Sequence, residues 1–276
     1  MLPMNARKRI AALLPALALA PMAARAAEVD TQFIFGFTMG ADVGELGERE
    51  IEWQTVGRFG KSAGSYTAIE TQLRAETENT RIEMGFPVAY HGISAVAGLD
   101  DRRQGAFEWV SFEARYRLLD RDHAPFGLTI GAEPHWTRVD DINGEPVANP
   151  GGELSLSVDR ELIENRLYGA LNLLYDPEVT FSQATGMWER QATVGAALTM
   201  QARKGIFFGA EARYLPAYDA ISLDSFAGPA WFVGPTMYAT LSTMAISAAW
   251  SVQSPAMPSI VLAHSTSRIS SAIGHN

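Results

Sequence analysis

The chain contains no cysteine among its 276 residues. That excludes a disulfide-stapled scaffold, a thiol nucleophile and a lipid anchor carried on cysteine. Long apolar runs are also missing. Beyond the first two dozen residues, no stretch reaches about 18 apolar residues without a charge, so a bundle of inner-membrane helices is excluded. Basic side chains are few, 22 Lys and Arg against 31 Asp and Glu, for a formal net charge of −9. Such an acid excess excludes non-specific binding to nucleic acid. There is no low-complexity tract and no short fixed-period repeat.

What is present begins with an export signal. Arg7, Lys8 and Arg9 form a basic n-region, residues 10–24 are apolar but carry Pro15 and Pro21, and Ala24-Arg25-Ala26 fits small-x-small cleavage. This predicts a signal peptide over 1–26, read by the Sec pathway, too short and proline-broken to span a bilayer. Its removal takes away Arg7, Lys8, Arg9 and Arg25 and no acid, which moves the net charge from −9 to −13. The remaining 250 or so residues suit one large barrel better than two small domains.

The clearest patterned stretch is residues 188–214. Side chains alternate between the two faces of a strand. Trp188, Arg190, Ala192, Val194, Ala196 and Leu198 fall on one face, and Glu189, Gln191, Thr193, Gly195, Ala197 and Thr199 on the other. After the polar turn Arg203-Lys204-Gly205, Ile206, Phe208, Ala210, Ala212 and Tyr214 share a face opposite Glu211 and Arg213. Long alternating strands with aromatic ends are the weak signature of a transmembrane β-barrel, and a soluble sandwich shows the same alternation.

The rest of the chain reads in the same way. Strands are expected at 49–59, 67–77, 81–90, 107–118, 125–138, 153–160, 166–175, 229–239, 242–252 and 268–275, which with the hairpin makes about 12. Short connections (78–80, 119–124, 201–205) alternate with long ones (92–106, 139–152, 215–228), the pattern of short periplasmic turns and longer outer loops. Residues 27–47 alternate poorly and are rich in glycine. They read as an irregular arm at the periplasmic mouth or inside the barrel. Asp42, Glu45 and Glu48 lack the ligand spacing of a calcium loop and read as a solvated acidic arm.

Residues 35–52, FGFTMGADVGELGEREIE, resemble the opening of a family of uncharacterised proteobacterial outer-membrane β-barrel proteins, and Val233-Gly234-Pro235 lies in a strand similar to theirs. The resemblance implies an outer-membrane barrel and carries no catalytic or ligand-binding residue. One departure is the ending, which is Asn276 rather than an aromatic.

The expectation is therefore an all-β chain: a transmembrane antiparallel up-and-down β-barrel over residues 48–276 with a periplasmic N-terminal arm at 27–47. In a barrel of that kind the charged face looks inward, because Arg or Lys at mid-bilayer costs about 2–4 kcal/mol. Glu52, Glu70, Arg74, Glu83, Glu113, Arg115, Glu133, Glu211 and Arg213 are the candidate lumen lining. They form either a pore wall that orients a polar solute or an ionic network that fills a closed lumen. Trp53, Tyr90, Trp136, Tyr175, Trp188, Tyr214 and Trp250 are the candidate aromatic girdle. Enzyme motifs are poor. Gly60-Lys61-Ser62-Ala63-Gly64 matches a nucleophile elbow without the helix that must follow. His264 beside Ser265, Thr266 and Ser267 lacks a third group. His91, His123 and His135 have no metal-ligand spacing, so neither cofactor nor metal is expected. The preferred function is a porin-like channel or transporter for a small polar solute in a Gram-negative cell outer membrane. Its partners would be outer-membrane lipid, lipopolysaccharide and the barrel-assembly machinery. The alternatives are a structural or surface-binding barrel with a closed lumen and, ranked lower, an outer-membrane lipid hydrolase.

Overall fold

A computed structural model of the chain describes residues 29–44, 49–60, 64–95, 100–140, 143–182, 186–218, 223–224, 226–241, 244–253 and 272–275. Residues 1–28, and with them the expected leader, lie outside it, as do Glu45, Glu48, Ser62 and the run 264–267. The described residues form one antiparallel sheet of fourteen strand segments and contain no helix. In chain order these are β1 (Arg49–Gly60), β2 (Gly64–Glu76), β3 (Thr80–Ile93), β4 (Arg102–Phe107), β5 (Trp109–Leu119), β6 (Gly127–Val139), β7 (Pro146–Ile163), β8 (Leu167–Ser182), β9 (Gly186–Arg203), β10 (Ile206–Tyr218), β11 (Phe226–Leu241), β12 (Met244–Ala249), β13 (Val252–Gln253) and β14 (Ala272–His275).

Neighbours along the chain pair with each other, in the order β10-β9-β8-β7-β6-β5-β3-β2-β1-β14-β12-β11. β10 also pairs with β11, from Ile206↔Ala239 to Tyr218↔Phe226. The hairpin expected at 188–214 is β9 and β10, with Gly205 at φ +75° in its turn.

Three expectations need correction. The loop read at 92–106 contains β4, which pairs with β3. The loop read at 139–152 is only 140–145, because β7 starts at Pro146 and pairs at once with β6, Val139↔Pro146 and Trp136↔Pro150. The Asp, Asn, Pro and Gly of this stretch therefore divide between a tight turn and a strand. In the turn, Asp140 Oδ1 accepts from Asn143 N at 2.9 Å and Asn143 Oδ1 accepts from Glu145 N at 2.7 Å, the local side-chain bonding that favours Asp and Asn in turns. The strand read at 242–252 breaks into β12 and β13. The interruption falls at Trp250, whose N–H reaches Pro235 O at 3.2 Å. The alternation of short and long connections is consequently weaker than the sequence suggests, since 120–126 is longer than 140–145.

The two faces of the sheet are unlike each other, and in the reverse sense from a soluble sandwich. In β3 the buried residues include Arg81, Glu83 and His91, while Ile82, Met84, Val88 and Tyr90 are exposed. β5 buries Ser111, Glu113 and Arg115 and exposes Val110, Phe112, Tyr116 and Leu118. β8 buries Asn172, Asp176 and Glu178 and exposes Leu171 and Leu173.

Candidate functional site

Residues 29–44 lie against the buried polar face, irregular as the sequence suggests. Gly36, at φ +89°, bends the arm where a Cβ would come within 2.6 Å of Thr236 Cγ2, so only glycine fits the turn and the approach together. Ile34 and Phe35 are fully buried against Tyr168, Phe207, Tyr238 and Ala245. Phe207 packs edge-on to both tyrosines with centroids 5.9 Å apart, the arrangement that ring quadrupoles favour.

Beyond that apolar seat, polar side chains of the strands take the place of a partner strand for the arm's backbone. Asn172 accepts from Met39 N and donates to Met39 O, both at 2.7 Å. Glu211 Oε2 accepts from Phe37 N at 2.9 Å and Thr38 N at 3.0 Å. Arg115 Nη2 donates to Gly40 O at 2.9 Å and to Ser157 Oγ at 3.1 Å. Ser247 Oγ donates to Phe33 O at 3.0 Å, and Thr129 Oγ1 donates to Ala41 O. Buried backbone groups need such partners, so these strand residues and the arm specify each other.

The arm is pinned most firmly at Asp42, Asp159 and Arg121. Asp159 Oδ2 accepts from Ala41 N at 2.8 Å and from Thr31 Oγ1. Arg121 reaches Asp159 at 3.3 Å, Asp42 at 2.5 Å, and the carbonyl of Val29. Burial pulls the Arg121 pKa down, but the attraction of Asp42 and then Asp159 outweighs it, and the guanidinium stands above its ordinary value. Asp42, expected on a solvated arm, is instead buried and ion-paired, because Arg121 and Arg117 converge on it from the 120–126 turn and the end of β5.

The structure buries Arg74, Glu83, Glu113, Arg115, Glu133, Glu211 and Arg213 of the proposed lining. Glu52 and Glu70, with Trp53 and Trp188, have side chains outside the described set. Arg74 Nε to Glu83 is 2.8 Å, Arg81 Nη2 to Glu83 is 3.7 Å, and Arg81 Nη2 to Glu113 is 2.6 Å. This is a ladder of paired charges rather than a row of isolated ones, as burial requires. Arg213 lies 4.1 Å over the Phe37 ring and 3.8 Å from Glu211. Of the aromatic set, Tyr90, Trp136 and Trp250 are exposed by 52%, 47% and 63%, and Tyr175 and Tyr214 are half-buried. Tyr214 packs at a tilt against Trp231, with ring centroids 4.6 Å apart. Tyr116 and Phe208 are exposed as well, near the opposite ends of their strands.

Asn172, Asp159 and Arg121 carry no mark in the sequence that singles them out. For Asn172 and Asp159 the one local signal is a polar residue on the charged parity of a strand, where serine, asparagine and aspartate look alike, and Arg121 lies in a turn with no parity at all.

The chain is thus an antiparallel sheet whose charged face is occupied by its own N-terminal arm. The chain belongs to the family described as "Family of unknown function (DUF6662)", which it matches over residues 27–255, a span that includes the arm. No curated protein matches it.

Proposed function

We propose that this chain is an outer-membrane β-barrel, closed at rest by its arm, that admits a small polar solute when the arm is displaced. The observation that carries the reading is the inversion of the two faces, with charges buried and Ile, Leu, Val, Met and aromatic side chains exposed. An apolar exterior is costly in water and suited to lipid. Closure of the sheet is supported by β10 pairing with β11 and by β14 pairing with both β1 and β12. Among the described residues no helix is long and apolar enough to cross a membrane, which says nothing of strands. With the turns 77–79, 120–126, 164–166 and 204–205 toward the periplasm, the arm sits at the periplasmic end. That placement agrees with the leader read at 1–26.

The density of arm contacts favours a second reading, a permanently sealed barrel whose outer surface does the work. Conductance in a planar bilayer separates the two. The full chain is expected to be silent or to open rarely. A variant lacking residues 29–44, folded in detergent, is expected to show discrete conductance steps. A folded but silent deletion variant would replace the gated passage with the sealed barrel, and steady conductance by the full chain would show that the arm is no plug.

A further inference from the structure

A second cluster on the buried face joins β6, β7 and β8. His135 on β6 is registered opposite Gly151 on β7, and Gly151 opposite Glu178 on β8. Gly151 makes their meeting possible. A Cβ there would lie 2.3 Å from His135 Nε2 and 3.0 Å from Glu178 Cγ. With no side chain on the middle strand, the imidazole and the carboxylate reach across it, Nε2 to Oε1 3.1 Å. Asp176 precedes Glu178 by two residues and so shares its face. One donor atom from each of His135, Asp176 and Glu178 lies within 4.8 Å of the others. Metal–ligand bonds of about 2.0–2.2 Å put two ligands of one ion up to about 4.4 Å apart, so a small side-chain adjustment would close the set on a single ion.

A second observation is independent of the acids. Asn149 donates to Glu178 Oε2 at 3.3 Å, while its own Oδ1 accepts no hydrogen bond although the residue is 2% exposed. Thr137, registered opposite Asn149 and two residues beyond His135, is buried with Oγ1 also unpartnered. A buried oxygen left without a donor costs roughly 1–3 kcal/mol. A cation held by the cluster would supply what the Asn149 oxygen lacks.

We propose that His135, Asp176 and Glu178, with the amide oxygen of Asn149, bind one first-row divalent transition-metal ion. An imidazole with two carboxylates and no thiolate suits zinc and its neighbours. Calcium and magnesium take oxygen ligands alone. The site faces the interior on the side of the 140–145 turn. Asp176 is four residues along β8 from Asn172, which bonds the arm at Met39, or about 13 Å. The proposal does not rest on the membrane reading.

The test is binding of Zn2+ to the full chain, stripped with chelator and held in whichever solvent keeps it folded, micelle or buffer. About one ion per chain is expected. His135→Ala and Glu178→Gln should each weaken binding at least tenfold, the least that loss of a ligand costs when loss of a ligand's supporting partner already costs about 10–100-fold. His123→Ala, at a surface histidine, should leave binding unchanged. Because either cluster variant could unfold the chain, the unaltered protein is also titrated with Co2+, which should develop visible ligand-field bands at one equivalent. No Zn2+ bound by the wild type, equal binding in folded cluster variants, loss on His123→Ala, or a Co2+ spectrum like that of the free ion would each overturn the site.

Discussion

Asp159→Ala is expected to be the most damaging single change on the buried face, at about 3 kcal/mol or more of lost stability, in the range for breaking a buried pair by removing one partner. The carboxylate is 1% exposed and joins the Ala41 N–H, the Thr31 hydroxyl and the Arg121 guanidinium at one oxygen. Its loss leaves the Ala41 N–H buried without a partner, and Arg121 falls back on Asp42 and the carbonyl of Val29. Those surviving contacts put the cost toward the low end of the range. Asp159→Asn should cost less, about 1–2 kcal/mol, since an amide oxygen can still accept from Ala41. Denaturant titration of the folded form reads the size of the effect, and protease cleavage within 29–44 reads its place. An unaltered midpoint together with a protected arm would show that this triad does not hold the arm.

The second large effect concerns the outer face. Ala210→Arg is expected to cost about 2–4 kcal/mol in a membrane, whereas a surface substitution in water stays within about 0.5 kcal/mol. Ala210 is exposed beside Phe208 and opposite the buried Glu211 and Arg213. Sequence parity alone suggests that Arg213→Glu is harmless, because lumen positions reach water. The structure changes that expectation. Arg213 is 5% exposed, sits on Phe37 and faces Glu211, so a glutamate there sets two buried carboxylates against each other. Arg213→Gln should be the milder change, because Glu211 keeps the amides of Phe37 and Thr38. Folding yields in detergent, read on one gel, test all three. Normal folding of Ala210→Arg would place that face in water and contradict the membrane reading.

Alternation was readable wherever a strand keeps strict parity, which is why the β9–β10 hairpin and the charged face of β2, β3 and β5 follow from the residues. β4 and the start of β7 were hidden by composition. Pro146, Pro150, Gly151 and Gly152 carry turn chemistry, yet β6 pairs with them along its length. The arm's place was half readable: its irregularity was visible and its partners were not. Thr31 meets Asp159 across 128 residues and Thr38 meets Glu211 across 173, and no local pattern encodes such a distance. The histidine cluster was invisible for the same reason. His135 and Glu178 are 43 residues apart, joined by the register of three strands rather than by any motif spacing.

The most direct test of the central claim is where the folded chain resides. Expressed in a Gram-negative host, it should fractionate with the outer membrane, require detergent for extraction and migrate faster on a gel unheated than boiled. Recovery as a soluble periplasmic monomer without detergent, with unchanged migration on boiling, would contradict the membrane barrel.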